Sequence, residues 1–120
     1  MTGLVEEDGR ALISVPMTNS RGAPLTEIIA WIDTAFDGHL VLPLATIREL
    51  ELDSLAEAEG ILADGSRVTL KTYFCYVEWF GERIPLQVIA NDGRFPLLET
   101  EMLKNRVLVI DYPRRQFSLD

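Results

Sequence analysis

Among the groups that can move a proton, Asp33 has the most unusual setting. The apolar run Glu27-Ile28-Ile29-Ala30-Trp31-Ile32 leads into it, and Thr34-Ala35-Phe36-Asp37-Gly38 turns the chain into a second apolar run, Leu40-Val41-Leu42-Pro43. A carboxylate at the end of a strand that reads as buried on both faces is costly unless chemistry uses it or hydrogen bonds satisfy it. Left unused, an Asp-Thr pair at a strand end is a turn-forming Asx motif. Asp37 reads as a further turn residue of the same loop. The chain carries one histidine, His39, at a strand start, and one cysteine, Cys75, in Tyr73-Phe74-Cys75-Tyr76-Val77. With no second residue of either kind, a zinc site and a Cys-His dyad are not expected. No intrachain disulfide can form either, so Cys75 reads as a small core or half-buried strand residue.

The elements that would position Asp33 are short. Residues 1–9, ending Glu6-Glu7-Asp8-Gly9, read as a flexible N-terminal arm, and residues 10–120 as one domain, a size that suits a single modest core. Strands are expected at Ala11–Val15, Thr26–Ile32 and Leu40–Leu42, the first two joined by the turn residues Asn19–Pro24. Leu44, Ile47, Leu50 and Leu52 then recur at helical spacing, with Pro43 near the first turn, which predicts a helix of about two to three turns. Further strands are expected at Ala56–Leu62, Arg67–Trp79 and Ile84–Ile89. The turns between them are Ala63-Asp64-Gly65-Ser66, with its Asp-Gly hairpin signal, and Phe80-Gly81-Glu82. Asn91-Asp92-Gly93 is another turn. After it come a short apolar segment, Pro96-Leu97-Leu98, one or two helical turns capped by Thr100, and closing strands at Arg106–Asp111 and Arg115–Leu119. Many short strands with two brief helices predict an all-β domain, a barrel or an orthogonal sandwich.

This order of elements, together with Asp33-Thr34-Ala35 and the Phe36-Asp37-Gly38 extension, the Ala63–Ser66 hairpin and the late Leu97-Leu98, resembles the retropepsin-like aspartic proteases, especially small single-domain prokaryotic members. The similarity runs from about Ala11 to Leu119. It implies a closed acid-protease barrel with one or two short helices, active as a homodimer. It gives Asp33 the role of catalytic acid and implies that two copies meet at a two-fold axis, sharing one proton. The substrate would be a peptide or protein, cut by water activated between the two carboxylates, with no cofactor, no metal and no covalent intermediate. Thr34, with Ala35 in the active-site loop, would lock the two loops together across the axis. Ala63, Asp64, Gly65 and Ser66 would form the flap that closes over an extended peptide.

Two residues depart from the family's pattern. Ala35 stands where the acid triplet ends in glycine, and keeps the N–H that holds the carboxylate. Glu99 stands where two apolar residues are followed by glycine. It would be buried behind the active-site loop, or would lie in the first turn of the late helix, where a negative charge is favoured. A non-catalytic dimeric domain that binds a peptide or protein partner is the alternative function. An unrelated barrel with an accidental acid turn is a third reading, and it would be a stable monomer.

Composition narrows the partners. A net charge of -8 argues against nucleic acid, since the short cluster Arg114-Arg115 with Arg106 and Lys104 cannot neutralise a run of phosphates. No apolar run approaches the roughly 20 residues of a membrane span. The acidic start, Met1 to Glu7, is unlike a secretory signal, so a cytoplasmic location is expected.

Overall fold

The computed structural model describes residues 1–120. Its centre is a closed barrel made of β2 (Leu12–Thr18), β3 (Thr26–Ile32), β10 (Leu97–Leu98), β4 (Leu40–Pro43), β9 (Glu82–Asn91) and β8 (Thr72–Trp79), in that spatial order. The pairing of Met17 with Val77 and Thr18 with Tyr76 joins β2 to β8 and closes the ring. The two-residue β5 (Asp53–Ser54) extends the other end of β8. Two smaller sheets complete the molecule: β1 (Thr2–Leu4) with β12 (Gln116–Leu119) and β11 (Leu108–Asp111), and the hairpin of β6 (Ala58–Ile61) with β7 (Arg67–Leu70). The mostly-β architecture with two short helices agrees with the sequence reading. No helix is long and apolar enough to cross a membrane.

Alternation explains most of the barrel. Ile13, Val15 and Met17 of β2 point into the core with Cys75, Val77 and Trp79 of β8 and Leu86 and Val88 of β9, while their neighbours are more exposed. All four residues of β4 are buried, as its unbroken apolar run requires. The hairpin of β8 and β9 turns at Phe80 (φ 49°) and Gly81 (φ 82°), both left-handed, the geometry that matches strand twist in a two-residue loop.

Several expectations need correction. β3 is buried on one face only: Ala30 and Ile32 face the core, whereas Ile29 is 48% and Trp31 40% exposed. The Arg10 guanidinium lies over Trp31, 5.7 Å from the ring centroid, and closer still to Phe95, at 4.7 Å. Residues 2–5 of the segment expected to be a flexible arm are built into the fold. β1 pairs with β12, Val5 is buried, and the Met1 amino group donates to the Leu119 carbonyl at 2.9 Å. The strand expected over Arg67–Trp79 breaks at Lys71, so that β7 belongs to the hairpin and β8 to the barrel.

The first helix, α1 (Leu44–Glu49), is shorter than its apolar spacing suggests. Glu51 turns left-handed (φ 53°), the Glu51 N–H donates to Arg48 and the Leu52 N–H to Ile47. This six-residue closure satisfies the last carbonyls. It also returns Leu52 to the core that holds Ile47, so Leu52 continues the apolar spacing without continuing the helix.

Cys75 is fully buried, and desolvation pushes its thiol up to about 12. A thiol-specific reagent at mildly alkaline pH is expected to label the native chain about 100-fold more slowly than the urea-unfolded chain. Equal labelling rates would show that β8 opens freely.

Candidate active site

The acid loop owes its shape to one topological feature. β10 lies between β3 and β4, parallel to the first and antiparallel to the second, with Leu97 beside Trp31 and Val41, and Leu98 beside Ile32 and Leu40. The connection from β3 to β4, residues 33–39, must therefore pass over the C-terminal end of β10. The chain leaving β10 meets it there.

That meeting is a backbone clamp. The Asp33 N–H donates to the Leu98 carbonyl at 2.8 Å and the Glu99 N–H to His39 at 2.8 Å. The Thr100 N–H donates to Phe36 at 3.1 Å and the Glu101 N–H to Gly38 at 2.9 Å. The Thr100 hydroxyl adds a second bond to the Phe36 carbonyl, at 3.0 Å. Thr100 is thus the first residue of the short helix α2 (Thr100–Leu103), not its cap. Glu99 precedes the helix and makes no capping bond with its side chain.

Within the loop Asp33 is half-buried, and its Oδ1 accepts the Ala35 N–H at 2.9 Å. The alanine keeps the donor, as expected for this position. Thr34, Ala35, Phe36 and Asp37 are exposed, and Phe36 leaves 53% of its surface in solvent. An acid, a hydroxyl and an aromatic ring therefore stand together at an outer surface of the chain.

Glu99 settles one open alternative: it is buried, 6% exposed, and is the sole ionisable residue among the buried polar side chains Thr18, Thr72 and Glu99. Its carboxylate lies against Gly38, where any Cβ would collide with Oε1. Burial raises its pKa first, the charges of Asp33 and Asp37 raise it further, and the Gly38 N–H opposes them. Sequence reasoning singled out Glu99 but passed over Gly38 as its counterpart. The absent side chain of Gly38 is what makes room for the acid.

The hairpin residues Ala63, Asp64, Gly65 and Ser66 form an exposed tip. Asp64 Oδ1 accepts the Ser66 hydroxyl at 2.6 Å and the Ser66 N–H at 2.9 Å, which together hold the Asp64 carboxyl below its usual range. Gly65 takes a left-handed conformation, φ 85°. No hydrogen bond joins this tip to the Asp33 loop. Between the far end of the loop and the hairpin base lies a groove of about 290 Å³, lined by Gly38, His39, Leu40, Ala58, Pro85 and Gln87 but by neither Asp33 nor the tip residues 63–66. A further concavity, of about 560 Å³, lies elsewhere, on the outer face of the β1-β12-β11 sheet between Leu4, Val109 and Gln116. It touches none of the loop residues.

No group of acidic, histidine or cysteine side chains is arranged to hold a metal ion. No protein-family model matches the sequence, and no curated protein matches it. Solved structures do. The chain is similar to a retropepsin-like aspartic protease from Rickettsia conorii, with a TM-score of 0.69 and 15% identity over 99% of this chain and 88% of that one. It is also similar to the EIAV protease complexed with the inhibitor HBY-793, with a TM-score of 0.60 and 19% identity over 83% of this chain and 90% of that one. The fold is retropepsin-like.

Proposed function

We propose that this chain, with its retropepsin-like fold, is an aspartic endopeptidase that works as a homodimer, with one Asp33 from each protomer forming the catalytic pair. The observation that carries this reading is the half-buried Asp33 carboxylate on a loop clamped at both ends yet open to solvent at Thr34 and Phe36. One chain supplies one such acid, and water activation between carboxylates needs two.

In the pair, like charges at hydrogen-bond distance cannot both ionise readily, so one proton is shared. The ionised carboxylate takes a proton from a bound water, whose oxygen attacks the peptide carbonyl. The protonated carboxyl polarises that carbonyl and gives its proton to the developing tetrahedral oxygen. On collapse of that species the carboxyl that took the water proton gives it to the leaving amine as the C–N bond breaks, and a hydroxyl of the tetrahedral carbon returns its proton to the pair, which again holds one proton. The substrate is an extended peptide, held by strand addition in the groove beside Leu40 and Ala58 and covered by the Ala63–Ser66 hairpin.

The test is cleavage of unstructured peptides from acidic to neutral pH, comparing the parent with Asp33→Ala. Turnover by the parent and none by the variant supports the reading. A second reading, a non-catalytic dimer that binds a peptide, is favoured by Glu99 in place of glycine. A well-folded dimer without turnover would establish it over the first.

Thr34 is assigned the bond that locks the two loops across the axis. Thr34→Ala is expected to weaken the dimer by about 1–3 kcal/mol, the cost of a hydrogen bond left half made. Sedimentation equilibrium measures this directly, and an unchanged dissociation constant removes the role from Thr34.

A further inference from the structure

Catalysis by Asp33 makes no use of Glu99, yet the fold buries this acid beneath the loop that carries Asp33. Backbone bonds hold it there from both sides. Its N–H donates to the His39 carbonyl, and the next two residues donate to Phe36 and Gly38. Its carboxylate fills the space left by the missing side chain of Gly38. The charges that act on it are those of two acids, Asp33 and Asp37 from the loop, opposed by the Gly38 N–H; Glu101 of α2, two residues further on, is paired with Lys104 at 3.6 Å. From the end of the loop, just before β4, His39 offers its backbone carbonyl. Glu99 itself takes part in no ion pair.

We propose that Glu99 is a proton-dependent latch for the Asp33 loop: neutral, it lets residues 33–39 close on residues 98–101, and ionised, it drives them apart. The physical reason is that a buried carboxylate with no cation, facing two further carboxylates, is much more costly charged than neutral. The unfolded chain loses this proton near the ordinary value of 4.5, whereas the closed loop retains it to higher pH. The closed loop is therefore favoured fully below the unfolded value, and its advantage is lost as pH rises through the folded one. Any consequence for peptide cleavage rests on the reading of Asp33 as the catalytic acid. The latch does not.

The experiment follows the Thr100 and Glu101 amides, which donate to the loop carbonyls, by hydrogen exchange on the full chain. Rates corrected for intrinsic exchange are compared between about pH 4.5 and about pH 7.5 for the parent, Glu99→Gln and Glu99→Gly. In the parent, opening is expected to increase at least about fivefold across this range. In Glu99→Gln it should change by less than about twofold, because the amide keeps the volume and cannot ionise. Glu99→Gly should be equally flat, and it serves if the glutamine does not fit beside Gly38. The same rise in the parent and in the glycine variant would overturn the latch, whatever the peptidase assays give. An absence of cleavage at every pH, with the difference in opening intact, would leave the latch standing and remove the peptidase.

Discussion

Asp33→Asn is expected to abolish peptide cleavage, with turnover falling by about 1,000-fold or more, while the chain remains folded and associated. The expectation rests on what asparagine keeps and what it loses. Its side-chain oxygen can still accept the Ala35 N–H that Asp33 Oδ1 accepts at 2.9 Å, and the backbone bond from residue 33 to Leu98 does not involve the side chain. Volume and loop geometry are therefore conserved. What would be lost, in the homodimer proposed above, is the ionisable group in both protomers at once, since such a dimer inherits any substitution twice. On that reading no shared proton would remain and no base could deprotonate water. Peptide cleavage, circular dichroism and sedimentation measured on the same preparation separate the outcomes. Full activity in the variant would remove Asp33 from the chemistry altogether.

Leu98→Ala carries the largest expected cost in stability, about 3–5 kcal/mol in urea unfolding. Leu98 is fully buried and sits between Ile32 and Leu40 in a strand only two residues long. Large-to-small changes at such a site lose the transfer energy of the removed methyl groups and leave a void that the barrel cannot readily collapse. Val109→Ala is the natural control. Val109 is 54% exposed on the terminal sheet, and its truncation should cost less than about 0.5 kcal/mol. Because the Leu98 carbonyl anchors the Asp33 N–H, activity should fall along with stability in the first variant and not in the second. A cost below about 1 kcal/mol for Leu98→Ala would mean that β10 is not a rigid member of the barrel.

Much of this architecture was legible because local patterns and the fold agree. The all-buried β4 is an unbroken apolar run, the β8–β9 hairpin is announced by Phe80-Gly81, and Leu97-Leu98 is short but apolar and set off by Pro96. Where the reading failed, a distant partner decides the structure. Thr2–Leu4 has no strand-like pattern of its own and becomes a strand only because residues 116–118 offer it an edge. The apolar alternation of residues 67–79 runs through Lys71 unchanged, although the chain there passes from the hairpin to the barrel. The end of α1 uses a left-handed glutamate where glycine is the usual signal, so spacing alone overran it.

The candidate site divides in the same way. The acid at the end of β3 and the donor at Ala35 lie within three residues and could be read directly. The fate of Glu99 could not, because it depends on the absence of a side chain at Gly38, across a chain crossing that no local pattern reveals. For a related reason the local sequence suggests a helix cap at the Thr100 hydroxyl. Its partner, the Phe36 carbonyl, is 64 positions away.

That separation bears on how the protein comes into being. A ribosome releases residues 33–39 before it has made the segment that will hold them, so the acid hangs on an unfastened turn until residues 98–101 have emerged. Pairings between such remote stretches form late, since closing a long loop must precede any reward from the contacts it brings. The clamped acid loop and the closed barrel thus depend on the same late pairing, and a nascent chain halted before Leu97 contains every atom of the acid loop without the backbone bonds from residues 98–101 that hold it.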